Sequence, residues 1–122
     1  MTILLIGGYP KGYDIPFHKK TRSGKILRKI IEENKINAKL LNLWGNEEQE
    51  TKAIISQEII NQINSFRKTH HIVALGRHQE KALIKHKTKC TYLPHPASWQ
   101  PQDRKKLTEG LINLNAFPPK SL

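Results

Sequence analysis

The sequence is short of cysteine, of acid and of long apolar runs, and each shortage excludes a class of protein. Its 122 residues hold one cysteine, Cys90. That excludes a disulfide framework and any zinc or iron–sulfur centre held by four cysteines of one chain, and it suits a reducing compartment. No apolar stretch approaches the roughly 18 residues of a membrane span. The opening MTILLIGG lacks a basic leader and meets glycine too early for a secretory signal. It reads as a buried strand, and a cytoplasmic location is expected. Acids number 10 against 21 Lys and Arg, a formal net charge of +11. A small soluble domain usually carries a charge of about 2–8. Such a field repels itself and is relieved by a polyanion, so nucleic acid is the leading partner class and an anionic membrane surface the second. No internal repeat with a period of roughly 20–50 residues is present.

What is there is a regular alternation. Four short apolar runs have strand character: Ile3 to Ile6, Lys39 to Leu43, Ile72 to Leu75 and Cys90 to Leu93. Between them lie stretches with helical spacing. Arg22 to Asn34 groups Ile26, Leu27, Ile30 and Ile31, and Gln49 to Lys68 groups Ile55, Ile59, Ile63 and Phe66. Arg77 to His86 turns Ala82 and Leu83 inward, and Pro101 to Asn115 groups Leu107, Leu111 and Leu114. Strand and helix alternating four times predict one α/β domain over residues 1–122. The expected fold class is a three-layer α/β/α sandwich with a four-stranded, mainly parallel sheet. The strands are near-continuously apolar, as parallel strands buried on both faces should be. The tail from Pro118 to Leu122 reads as frayed.

In open α/β sheets ligands bind outside the carboxyl ends of the strands. Four loops should therefore share one rim: Gly7 to Ser23, Asn42 to Gln49, Gly76 to Gln79 and Pro94 to Trp99. The first reads GGYPKGYDIPFHKKTRSGK and fits neither the Walker spacing nor the dinucleotide fingerprint. It interleaves Lys11, His18, Lys19, Lys20, Arg22 and Lys25 with Tyr9, Tyr13 and Phe17. Cations beside aromatics suit an unstacked base and its phosphates, and they equally suit a solvated basic loop. The last loop, YLPHPASW, holds His95 between Pro94 and Pro96. Prolines fix their own φ and restrict the residue before them, so this imidazole is stiffly held, either as a donor or as part of a simple turn. In LLNLWG, Asn42 is a polar residue in an apolar run. A buried amide must be satisfied, by backbone or by a ligand such as a base edge. His70, His71, His78 and His86 follow no metal-ligand pattern and read as solvated. Ser23 with His95 lacks the G-x-S-x-G elbow of a hydrolase.

Taken together and in order, these pieces resemble the uracil-DNA glycosylase superfamily. LLIGGYPKG supplies the opening strand with Gly7 and Pro10. Pro16, Phe17, Ser23 and Gly24 lead into a helix, Asn42 ends a strand, IVALGRHQEKAL follows, and HPAS closes the series. The chain also departs from that pattern. It is much shorter than most members, Tyr9 stands where many carry Asp or Asn, and Lys11 replaces a frequent glycine. Ala97 is inserted before Ser98, and the four cluster-binding cysteines of some subfamilies are missing.

The resemblance implies hydrolysis of the N-glycosidic bond of uracil or another modified base flipped out of DNA. It implies no cofactor, no metal and no membrane, and a monomer is expected. His95 would donate to the base oxygen, and Asp14, or water held by backbone from Gly8 to Pro10, would serve the sugar. Phe17, Asn42, Tyr9 and Gly8 would form the base pocket. Lys11, Lys19, Lys20, Arg22, Ser23, Ser98 and Arg77 would meet the phosphates. The alternative is a catalytically inactive nucleic-acid-binding module of the same fold. An enzyme for free nucleosides is disfavoured by the charge, because a neutral substrate needs no such field.

Overall fold

The run TILLIG is apolar on both sides and forms β1 (Thr2–Gly7), whose side chains alternate between two cores. The computed structural model of the chain describes residues 2–9 and 17–116. The elements that follow are α1 (Arg22–Glu33), β2 (Ala38–Asn42), α2 (Glu47–Lys52), α3 (Gln57–Phe66), β3 (His70–Leu75), α4 (Arg77–Lys85), β4 (Thr91–Leu93) and α5 (Pro101–Ala116). The strands form one sheet in the order β2-β1-β3-β4, and all three pairings are parallel. The fold is thus a three-layer α/β/α sandwich.

Leu4 and Ile6 of β1, with Ile72 and Ala74 of β3, pack against Ile60 and Ile63 of α3 and Ala82 and Leu83 of α4. Ile3 and Leu5, with Val73 and Leu75, pack against Leu27 and Ile30 of α1 and Leu107 and Leu111 of α5. Right-handed crossovers explain the division. The chain steps one way along the sheet from β1 to β2 and the other way from β2 to β3 to β4, so α1 lies on one face and α3 and α4 on the other. The same reversal opens a crevice between the carboxyl ends of β1 and β3. Register keeps those ends level: Gly7 lies beside Asn42, and the Gly76 N–H donates to the Leu93 carbonyl at 2.9 Å.

Two expectations are corrected. The single helix from Gln49 to Lys68 is two helices, because Ala53 takes a left-handed conformation (φ 54°) that stops α2, and Ser56 caps α3 by accepting from the Ile59 N–H. Between them Ile55 turns into the core, only 5% exposed, and its N–H donates to His86 Nε2 at 3.4 Å. Burial of one side chain overrides the helical spacing. The four strands are also not equally buried. β1 after Thr2 and the carboxyl half of β3 are buried, whereas β2 and β4 are largely half-buried, as edge strands must be.

Candidate functional site

A pocket of about 360 Å³ opens at the carboxyl ends of the strands. Its lining begins at Gly8, just after β1 ends at Gly7. The ring of Phe17 lies over Gly7, so close that an added Cβ would stand 2.6 Å from Cε2 and Cζ. Phe17 itself has φ 50° and is 8% exposed, so the chain turns at this residue and its ring is seated at the edge of the core beside the pocket. Gly24 locks the return, because a Cβ there would collide with the carbonyl oxygens of His18 and Phe17. Thr21 caps α1: its hydroxyl accepts from the Gly24 N–H at 3.0 Å and donates to the His18 carbonyl at 2.8 Å. Thr21, Arg22 and Ser23 thereby line one wall.

His95 lines the pocket from the loop after β4. Its Nδ1 accepts from the Ala97 N–H at 3.0 Å, which places the proton of the neutral ring on Nε2 and makes that atom a donor. Its ring centroid lies 6.4 Å from that of Phe17, tilted by 46°. Gly76 sits beside it with φ 113°, a conformation that excludes a side chain, and a Cβ there would stand 3.5 Å from His95 Cβ. Asn42 lines the pocket from the end of β2, half-buried, and makes no side-chain hydrogen bond with another described residue.

Two lining residues have no role in the sequence reading. Glu50, from α2, accepts the Tyr9 N–H on Oε2 at 3.0 Å. Gln79, in the first turn of α4, is only 7% exposed yet makes no side-chain hydrogen bond with another described residue. Both close on Gly8: a Cβ there would stand 2.7 Å from Glu50 Oε2 and 3.2 Å from Gln79 Nε2. In the sequence Glu50 is one acid of the run EEQE with nothing to set it apart. Gln79 has a weak signal, a polar residue three positions after the glycine that ends a buried strand.

Gly8, Tyr9, Phe17, Arg22, Ser23, Asn42 and His95 are therefore brought together. Lys19 and Lys20 are exposed at the turn before α1, outside the lining. Arg77 stands apart, paired with Glu80 at 2.8 Å and stacked on the Tyr92 ring at 3.6 Å. Ser98 belongs to an adjoining hollow of about 400 Å³ with Arg22, Trp99 and Arg104, and its hydroxyl donates to Asp103 at 2.7 Å. There the Arg22 guanidinium lies 3.6 Å over the ring of Trp99, which is 80% exposed. Lys11 and Asp14 lie outside the described residues. Among the described residues no group of three or more His, Cys, Asp or Glu side chains could hold a metal ion, and no helix is long and apolar enough to cross a membrane.

Comparison with protein-family models, with curated proteins and with solved structures found no match. What the fold and the rim establish is a small α/β/α sandwich, compatible with a nucleic-acid-binding module, with a pocket at the strand ends lined by both polar and apolar groups.

Proposed function

We propose that this chain is a monofunctional DNA glycosylase that hydrolyses the N-glycosidic bond of uracil or another modified base turned out of DNA. One observation carries the reading. An aromatic ring (Phe17), a carboxamide (Asn42) and an imidazole protonated on Nε2 (His95) come from three separate segments to line one hollow. Its volume, about 360 Å³, lies within the range of roughly 300–1,000 Å³ typical of small-molecule sites. A flipped base needs these three things: a stacking face, a donor–acceptor partner for its polar edge, and a donor for the oxygen on which charge collects. As the bond between C1′ and the base nitrogen breaks, its electron pair moves onto the base. The His95 Nε2–H then stabilises an anion absent from the ground state.

The rim supports the same partner. Lys19, Lys20, Arg22 and Arg104 form no ion pair with a described acid, so their charge is available to phosphates. Trp99 offers an exposed ring on which an unpaired base can stack. The test is a panel of oligonucleotides, single- and double-stranded, each with one altered base, scored by alkaline cleavage of abasic sites. Cleavage at one class of altered base is expected. Binding of the whole panel without cleavage replaces this reading with the inactive binding module.

A further inference from the structure

We propose that Glu50 and Gln79 seat and deprotonate the water that attacks the sugar, Glu50 as the base and Gln79 as the residue that positions the water. The proposal rests on the glycosylase reading and adds to it a nucleophile-activating pair from two helices, outside the loop after β1. Among the described residues that line the pocket, Glu50 carries the one carboxylate. It is held from two directions. Its Oε2 accepts the Tyr9 N–H at 3.0 Å, and its backbone carbonyl lies 2.8 Å from His78 Nε2. The His78 ring in turn packs on buried Trp44, with centroids 5.0 Å apart. The Glu50 carboxylate makes no ion pair with a described cation.

Gln79 is the independent observation. The residue is more than nine-tenths buried at the pocket wall, and its amide has no hydrogen-bond partner among the described residues. An amide that lines a pocket without a protein partner is satisfied by water, at little cost. The absence of a side chain at Gly8 brings Glu50 Oε2 and Gln79 Nε2 to the same stretch of backbone, so one water can meet both. Sheet order supplies the rest. Glu50 follows β2 and His95 follows β4, the two opposite edges of the sheet. A proton acceptor and a proton donor thus approach one pocket from opposite sides. That matches a bond whose breaking leaves positive charge on the sugar and negative charge on the base. In the step, the water oxygen bonds to C1′, the bond from C1′ to the base nitrogen breaks, and its electron pair leaves with the base. The water proton passes to the Glu50 carboxylate.

The test is single-turnover excision from the oligonucleotide that the wild-type chain cleaves, with binding measured in parallel by fluorescence anisotropy. Glu50→Gln keeps an acceptor for the Tyr9 N–H, and circular dichroism checks that it folds. It should lose about 10²–10⁴-fold in rate, the usual worth of a general base, with binding unchanged. Glu50→Ala should be as slow and should recover in added formate, a small carboxylate that fits the vacated space. Gln79→Leu should also slow the step. Combined with Glu50→Gln it should add far less than its own loss, because both groups act on one water. A structural role for Gln79 would give additive losses. An active wild type with Glu50→Gln equally fast, or a folded Glu50→Ala indifferent to formate, overturns the proposal and leaves the glycosylase reading in place. A wild-type chain that releases no base overturns both.

Discussion

Single residues set the shape of this pocket, and the glycines do so by what they omit. Gly7 is bare because the Phe17 ring fills the place a Cβ would need, 2.6 Å from two ring carbons. Gly7→Ala should swing the ring aside, weaken binding of substrate and cost about 1–3 kcal/mol, the usual range for overpacking, read from the urea midpoint. Gly24→Ala should cost more in the same measurement. Its obstacles are the backbone carbonyls of Phe17 and His18, which cannot rotate away as a side-chain end can. His95 is set by bonds instead. With the Ala97 N–H on Nδ1, the proton of the neutral ring lies on Nε2, in a residue that lines the pocket. His95→Ala should lower single-turnover excision by about 10²–10³-fold and leave anisotropy-measured DNA affinity nearly intact, because the lost bond forms to a charge that exists only in the transition state. Full activity in that variant would remove His95 from the chemistry.

At the scale of elements, the informative place is the break between α2 and α3. Apolar spacing predicts a continuous helix there, and local chemistry gives no glycine or proline to interrupt it. The break exists because Ile55 is worth more in the core than in the helix, and Ala53 accepts a left-handed φ of 54° to allow it. A Cβ in that region costs about 1–2 kcal/mol. Ala53→Gly should therefore raise the urea midpoint and stabilise the chain by roughly 0.5–1 kcal/mol, an exception to the rule that glycine weakens helices. The break matters for the site, since it sets where α2 ends and hence where Glu50 stands. At the opposite end of the sheet, β2 and β3 bring Lys39 and His70 together around Phe66, with the His70 ring edge-on to it at 4.8 Å. Burial first, then the Lys39 charge, lower the His70 pKa from 6.5, against a backbone hydrogen bond to Phe66 that raises it. A lowered value means that the folded chain resists protonation more than the unfolded one. The stabilising contribution is thus complete above pH 6.5 and is lost as the pH falls through the folded value. Urea midpoints should drop on acidification, and His70→Gln should flatten that dependence. Added salt should flatten it in part, because it screens Lys39.

For the whole molecule, the architecture is legible in the sequence because parallel topology has few solutions. Four apolar runs separated by helical spacing force the carboxyl ends of all strands onto one rim, and Phe17, Asn42 and His95 meet there because each sits at a strand end or on a rim loop. Glu50 is not legible, because it is one acid among several in EEQE, and Gln79 is legible only as a polar residue in the rim segment after Gly76, with nothing in its spacing to mark it as buried. The charge is legible as a total, and the fold shows how it is arranged. Among the described residues, Lys29, Lys52 and Arg77 form ion pairs, each with an acid three or four residues away on its own helix. Such pairs are worth little, and they do not offset a net charge of +11. Lys19, Lys20, Arg22 and Arg104 are all exposed, and Arg22 borders both the pocket and the adjoining hollow. A duplex or single strand laid over this rim would release one condensed counterion for nearly every phosphate the cations meet. With about five such contacts, log K for duplex DNA should fall against log salt with a slope of roughly −4 to −5. Arg22→Ala should reduce that slope by about 1. Lys29→Ala, which removes an equal charge from an exposed pair with Glu33 further along α1, should leave it unchanged. Equal effects of the two variants would mean that net charge, and not the rim, attracts the polyanion. A slope near zero in the wild type would remove nucleic acid as the partner, since no arrangement of contacts to a polyphosphate escapes counterion release.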